Sequence, residues 1–445
     1  MTTQAHAAER EIERLMTLHP KGFDLSLDRI SRLLERLGNP QDRMPPVIHI
    51  AGTNGKGSAA AFSRALIEAS GLSCHVHTSP HLVNWHERYR IGAPGGSRLV
   101  EDSVLADAVA RVAEANQGET ITVFEILTAT MFLLFSEHPA DVAIVEVGLG
   151  GRFDATNVIA RPAVSLIMPI SLDHEAYLGD RVELIAAEKA GIMKPSCPVV
   201  IGAQEYEDAR DVLIETADRL DCPLLVYGQD FLAFEENGRM IYQDDDGLFD
   251  VTPPRLPGRH QYANAAAAIA AVKAAGFEIG HRVAEAAMAR VYWPGRMQKL
   301  TEGRLVDLAP RGAEIWIDGG HNPGAGAAVA EALADQEEKR PLPLVLIAGM
   351  INTKDQTGYF HNFVGMVRHV FTVPVNESDA GVPNDELAAR AIAAGLAAEP
   401  VASVENALML LRDAWDDPEH PPRILISGSL YLVGEVLAKN GTPPV

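Results

Sequence analysis

Pro46-Val47-Ile48-His49-Ile50, followed after Ala51 by Gly52-Thr53-Asn54-Gly55-Lys56-Gly57-Ser58, is the stretch that decides the fold. Its first five residues read as a short buried strand, and the Ala-rich run after Ser58 reads as a helix ending near Gly71. A strand, a glycine turn and a helix in that order open a βαβ unit. Glycines let a backbone approach phosphate closely, and the helix that follows offers free N–H groups and a positive dipole end. Lys56 would reach β- and γ-phosphates, and Ser58 stands where a hydroxyl meets phosphate or Mg2+. The spacing is not the standard G-x-x-x-x-G-K-[ST], because Gly52 precedes Gly55 by three and Gly57 intervenes before Ser58. A turn that merely joins strand to helix could carry the same glycines. The strand before and the helix after favour the phosphate reading.

The same alternation extends in both directions. Leu27, Ile30, Leu33, Leu34 and Leu37 recur at helical spacing until Gly38-Asn39-Pro40 stops them. Downstream, strands are expected at 74–77, 142–147, 164–170, 199–201 and 224–227, with helices at 104–115, 123–135 and 182–193. Residues 231–251 differ: they alternate, and Asn237-Gly238 is a hairpin signal, so a small antiparallel excursion is expected there. Helices near 261–275 and 283–291 follow. Tyr292-Trp293-Pro294-Gly295-Arg296 is punctuation, and a second α/β series starts after it. Its strands fall near 315–317, 344–347, 370–373 and 424–427, and a helix near 430–438 closes it. Short apolar strands alternating with helices imply parallel sheets covered on both faces.

Composition narrows the class. Of 445 residues, 47% are hydrophobic and 22% charged, which is ordinary for a globular protein with sizeable cores. The formal net charge of −22 argues against nucleic acid and anionic membrane as partners, since both require a basic surface. Cys74, Cys197 and Cys222 are too few and scattered for a disulfide framework or a zinc site, and read as thiols in a reducing compartment. Residues 1–10 are polar, with no apolar leader core, and no apolar run approaches the roughly 20 residues that span a bilayer. The longest, 265–272, is stopped by Lys273. A cytoplasmic, soluble monomer is expected.

Polar residues gather after strands. Glu146 ends the strand at 142–147 and precedes Gly148-Leu149-Gly150-Gly151-Arg152-Phe153-Asp154. Ligands bind at the C-terminal edge of open α/β sheets. A carboxylate there, opposite a phosphate loop, is suited to Mg2+; bracing the glycine loop is the bland alternative. Asp173-His174 lies at another strand end, where a lone His is more often structural. Glu188-Lys189 sits on a helix, where such a pair is normally a solvated face. Asp318-Gly319-Gly320-His321-Asn322-Pro323 follows a strand of the second series and could simply cap the next helix.

Taken together, these motifs resemble those of the folylpolyglutamate synthase / dihydrofolate synthase family, within the Mur ligase superfamily of ATP-dependent amide-forming ligases. The resemblance runs through His49 to Ser58, Thr78-Ser79-Pro80-His81-Leu82 with Glu87-Arg88, and Thr122-Val123-Phe124-Glu125. It continues with Glu146 to Asn157, Asp173-His174, Glu188 to Ile192, His260 to Asn264, Trp293 to Arg296, Asp318 to Pro323 and Gly428 to Glu435. One small departure is Gly320, where the family usually has Ala. The resemblance implies an N-terminal P-loop ATPase-type domain over 1–297, its sheet mostly parallel with a small antiparallel part. A smaller C-terminal Rossmann-like α/β ligase domain would occupy 298–445.

The resemblance also implies roles. Asn54, Gly55, Lys56, Gly57 and Ser58 would hold the ATP phosphates, with Asn264, Arg296 and Asp318 also contacting ATP. Ser79 and Glu146 would bind one Mg2+, and Glu146, His174 and Lys189 a second, with Lys189 carbamylated. Thr122, Phe124, Glu125, Phe153 and Asp154 match positions that hold a pterin, and His321 would lie near the incoming glutamate or the nucleotide. The implied activity joins L-glutamate to dihydropteroate and to reduced folates. The alternatives are a monofunctional folylpolyglutamate synthase, a muramyl-type ligase, or an ATPase without ligase chemistry. Muramyl-type ligases carry a further N-terminal domain, for which a phosphate loop beginning at Gly52 leaves no room.

Overall fold

The computed structural model describes residues 7–16 and 26–444, so residues 1–6 of the polar N-terminal stretch lie outside the described residues. Strands β1 (Val47–Ala51), β2 (Cys74–His77), β3 (Tyr89–Ala93), β4 (Gly96–Leu99), β5 (Val142–Glu146), β6 (Val164–Ile167), β7 (Val199–Ile201) and β8 (Leu224–Val226) form one sheet, ordered β4-β3-β2-β5-β1-β6-β7-β8. Neighbours from β2 to β8 run parallel. All residues of β1, β2, β5, β6 and β7 are buried, as continuous apolar strands covered on both faces require. One apolar cluster gathers Ile12, Leu33, Val109 and Phe132 from helices Ala7–Met16, Asp28–Arg36, Asp102–Asn116 and Val123–Glu137. Another gathers Ile185 and Leu213 from helices Val182–Ala190 and Glu207–Arg219, with Ile167 and Ile201 from the sheet.

Next come β9 (Phe231–Glu236), β10 (Arg239–Asp244) and β11 (Gly247–Val251), a separate antiparallel sheet ordered β11-β10-β9. Asn237 (φ 52°) and Gly238 (φ 74°) make the expected tight turn, and a third strand extends the hairpin. Strands β12 (Gln298–Leu300), β13 (Glu314–Asp318), β14 (Leu344–Ala348), β15 (Val367–Thr372), β16 (Ala398–Pro400) and β17 (Arg423–Ser427) build the last sheet, ordered β12-β13-β17-β14-β15-β16. It is parallel apart from β12.

The sequence reading does not foresee β3, β4, β12 or β16. The β3–β4 hairpin is short and partly polar, turning at Pro94-Gly95, where Gly95 has φ 72°. Three-residue β12 is defined by its pairing with Ile315–Ile317 rather than by any pattern of its own. The helix expected over 182–193 ends at Ala190, with Gly191 as its C-cap.

The described residues pack as two compact units. The first comprises Met1–Ser171, Leu178–Arg255 and Tyr262–Val291; the second comprises Leu172–Tyr177, Leu256–Gln261 and Tyr292–Val445. Among the described residues no helix is long and apolar enough to cross a membrane.

Candidate active site

In the first unit the glycine loop leaves β1 and enters helix Lys56–Ala69 through Gly55, which is left-handed (φ 81°). A side chain at Gly55 would be strained and would also meet Asn264, whose Oδ1 lies 2.8 Å from where a Cβ would stand. The loop is tied to the end of β6: Thr53 N and Asn54 N donate to Pro169 O (2.9 and 3.2 Å), and Asn54 Nδ2 donates to Ser171 Oγ (3.1 Å). Lys56 Nζ curls over the loop and donates to Gly52 O (3.0 Å) and Thr53 O (3.2 Å). Ser58 is buried in the first turn of the helix.

Glu146 ends β5 beside this loop, its Cα paired in register with Ile50. Its side chain is buried, and Oε2 faces Ser79 N at 3.4 Å. The solvated face expected for Glu188-Lys189 does not hold for Lys189. That residue is 5% exposed, and its Nζ donates to Gly52 O at 3.0 Å across 137 residues of sequence. One sheet edge therefore brings together Asn54, Lys56, Ser58, Ser79, Glu146, Lys189 and Asn264.

The expected acceptor residues divide. Thr122 and Glu125 form a capping box at the start of helix Val123–Glu137: Glu125 N donates to Thr122 Oγ1 (3.1 Å) and Thr122 N to Glu125 Oε2 (2.8 Å). Arg29 Nε adds bonds of 3.1 and 3.0 Å to the same carboxylate. The Phe124 ring lies against Gly148, leaving no room there for a Cβ. Phe153 is 37% exposed with the Arg152 guanidinium over its ring, whereas Asp154 is buried. Asp154 Oδ2 accepts from Gly148 N (3.0 Å) and Leu149 N (2.9 Å), and Oδ1 from Thr156 N (3.0 Å) and Thr156 Oγ1 (2.5 Å). Burial pushes this carboxyl up, against those hydrogen bonds.

In the second unit Asp318 ends β13, and its carboxylate braces backbone: Oδ2 accepts from Met297 N (2.8 Å) and Oδ1 from Gly320 N (2.6 Å). Arg296 lies over Gly319, where a Cβ would come within 2.6 Å of Nη1. His321 Nδ1 bonds Gly319 O at 2.8 Å. Asn322 does cap the next helix, Oδ1 accepting from Ala325 N at 2.8 Å. The segment Leu172–Tyr177 packs in this unit. Lys354 Nζ donates to Asp173 Oδ1 (2.6 Å) and lies 3.3 Å from His174 Nε2, while Asn322 Nδ2 donates to Asp173 Oδ2 (3.2 Å). Burial opposes ionisation of Asp173, but hydrogen bonding to His321 and the positive charge of Lys354 outweigh it and hold the carboxyl well below the usual range.

Arg29 and Lys354 were not anticipated as site residues. Lys354 follows the end of β14, which is the same strand-end signal that marks Glu146 and Asp318. Arg29 has no such signal; its role is set by a partner 96 residues away.

The Mur ligase middle domain matches residues 50–272. Dihydrofolate synthase/folylpolyglutamate synthase of Mycobacterium tuberculosis is 34% identical over 95% of this chain and 91% of its own length. The structure of Escherichia coli FolC in complex with DHPP and ADP superposes with a TM-score of 0.84 at 28% identity, covering 98% of this chain and 97% of that one. The bifunctional enzyme of Yersinia pestis complexed with AMPPNP and Mn ion gives 0.83 at 27% identity, covering 98% of both chains. With residues 50–272 matching the Mur ligase middle domain and most of its length covered by a relative at 34% identity, the chain belongs to the folylpolyglutamate synthase / dihydrofolate synthase family of Mur-type ligases.

Proposed function

We propose that this protein is an ATP-dependent ligase that joins L-glutamate to dihydropteroate and extends reduced folates as folyl(poly)glutamates. The observation that carries this reading is the single sheet edge where Lys56, Glu146, Ser79 and Lys189 converge on the Gly52–Ser58 loop. A carboxylate is a poor acyl donor because its leaving group would be oxide. Transfer of the ATP γ-phosphoryl to the pteroate or folate carboxylate makes an acyl phosphate and releases ADP. The glutamate amine then attacks the acyl carbon, forms the amide and expels phosphate.

The chain's own part is binding and charge placement. Lys56 now donates to loop carbonyls, and by turning outward it would present its ammonium to the β- and γ-phosphates. The first turn of helix Lys56–Ala69 supplies N–H donors to the same phosphates. Asn264 borders the loop at Gly55, in line with a nucleotide contact. On the resemblance, Arg296 and Asp318 are assigned to the nucleotide, and His321 to the glutamate or nucleotide. Phe124 and Phe153 are assigned to the pterin, with Thr122, Glu125 and Asp154 shaping that wall.

Ser79 and Glu146 offer a hydroxyl and a carboxylate, the hard oxygens that Mg2+ takes together with water and substrate phosphates, so these residues fit one such ion. Bound there, Mg2+ would neutralise developing phosphate charge. An ammonium at Lys189 has no lone pair and fits no metal. Addition of CO2 to its neutral amine, with loss of a proton, gives a carbamate with two oxygens. We assign that form to a second site with Glu146, and His174 is assigned a metal role on the resemblance alone. Residues 1–297 are assigned as the ATP-binding Mur-ligase-type domain and 298–445 as the Rossmann-like ligase domain. A cytoplasmic monomer without nucleic-acid partners accords with the acidic charge.

The test is phosphate release from purified protein with ATP, Mg2+ and glutamate, comparing dihydropteroate with tetrahydrofolate. Release with either acceptor, and none when glutamate is omitted, is expected. Equal hydrolysis without acceptor would mean a bare ATPase; release with tetrahydrofolate alone would mean a monofunctional enzyme.

A further inference from the structure

The turn Asp154–Asn157 directly follows the glycine loop Gly148–Phe153, and its side chains close that loop from both ends. Asp154 takes the N–H groups of Gly148 and Leu149 at the loop's start, while Asn157 Nδ2 donates to Arg152 O near its end, at 2.9 Å. Asn157 Nδ2 also donates to Gly191 O at 3.1 Å. Gly191 caps the helix that carries Lys189. A second link joins the same two segments, from Arg152 N to Glu188 O at 2.8 Å. No slack separates them: a Cβ on Gly151 would stand 2.6 Å from Glu188 O and 2.9 Å from Lys189 Cα, and one on Gly191 would stand 2.5 Å from Arg152 Cα.

The turn is itself anchored to the sheet. Thr156 Oγ1 donates to Asp154 Oδ1 and therefore accepts from His49 Nε2–H at 2.8 Å, which fixes that histidine's tautomer. Asn157 is only 7% exposed. Its amide suits two carbonyls, because one nitrogen carries two donors. An aspartate of the same shape offers only acceptors and would repel both.

We propose that Asn157 is a positioning residue that locks the acceptor-side loop Gly148–Phe153 to the segment carrying Lys189, so that acceptor and Lys189 are held in one geometry. The inference rests on the function proposed above, and it makes the loop a preformed wall. Breaking the lock displaces both partners at once. A misplacement of about 1 Å can cost about a hundredfold in rate.

Steady-state kinetics on the full chain test this with Asn157→Asp, Asn157→Ser and Gly191→Ala, each varied against acceptor and against ATP. Asn157→Asp is expected to raise the acceptor KM about tenfold and lower kcat about tenfold or more, with the ATP KM within about twofold of wild type. Asn157→Ser, which keeps one donor, is expected to fall between. Gly191→Ala wedges the two segments apart without touching the amide and is expected to give the same split. If Asn157→Asp does not fold, the other two variants carry the same readout. A merely structural role would lower kcat and melting temperature and leave the acceptor KM alone; that result in a folded variant overturns the proposal. A wild type without glutamate-dependent phosphate release would overturn the functional reading and this role with it. An active wild type with unshifted variants overturns the lock alone.

Discussion

Glu146 and Asp318 occupy equivalent places in the two units: each is the last residue of a parallel strand, and each precedes glycines. Their surroundings differ. Asp318 grips Met297 N and Gly320 N with its two oxygens at 2.8 and 2.6 Å, so it holds the entry of β12 against the loop after β13. Glu146 faces the backbone N–H of Ser79 at 3.4 Å and stands beside the loop that carries Lys56. Two short bonds to backbone make Asp318 a brace, whereas Glu146, beside the glycine loop, is the acid proposed above for a metal. An acid at a strand end thus marks a functional edge without saying which task the acid performs.

That contrast can be broken by experiment. The largest expected effect is on turnover: Lys56→Ala and Glu146→Gln should each reduce phosphate release about a thousandfold, with melting temperature close to wild type. Near wild-type turnover in a folded Glu146→Gln protein would remove that residue from the metal site. Lys189→Ala should lose about a hundredfold, with acetate or formate restoring part of the activity by supplying the missing carboxylate oxygens. Full activity without added carboxylate would end the carbamate assignment.

Asp318→Ala should behave in the opposite way to Glu146→Gln. Two buried N–H groups lose their acceptor, so stability should drop by about 1–3 kcal/mol in denaturant titration, whatever happens to activity. An Asp318→Ala protein as stable as wild type would show that the brace is dispensable and narrow the difference between the two acids.

The smallest effect distinguishes structural from reactive polar groups by pH. Burial pushes His49 down to about 3 and His75 down to about 4. Both are therefore neutral in the folded chain, while the unfolded chain protonates near pH 6.5. The unfolded state binds more protons below that value, so stability is fully present above it and falls as pH drops toward the folded values. Between pH 7 and pH 6 the loss should be roughly 0.7 kcal/mol per imidazole. Replacing His49 with Gln should flatten that slope in melting curves; an unchanged slope would assign the acid sensitivity elsewhere.

Much of the fold was legible because its signals are local. The alternation of buried strands with helices, the glycine turn before Lys56 and the hairpin at Asn237-Gly238 each depend on residues within a few positions. Glu146, Lys56 and Asp318 were singled out on the same basis. Strands β3, β4, β12 and β16 were missed because they are short and exist through their partners. Glu125 and Asp154 were read as substrate contacts by resemblance. Their carboxylates also serve the fold, one in a capping box with Arg29, the other closing the loop after β5.

By itself the sequence determined the two α/β series, the strand-end edges that carry chemistry, and the types of group placed on them. These follow from side-chain periodicity and from the conformations that only glycine, proline and capping residues allow. The tertiary structure alone decided which polar group meets which. Lys189 reaches Gly52 O across 137 residues, Lys354 reaches Asp173 across 181, and Asn157 ties Arg152 to Gly191. A hydrogen bond forms or fails over a few tenths of an ångström, and that separation is fixed by how helices and strands far apart in the chain pack, which no local spacing encodes.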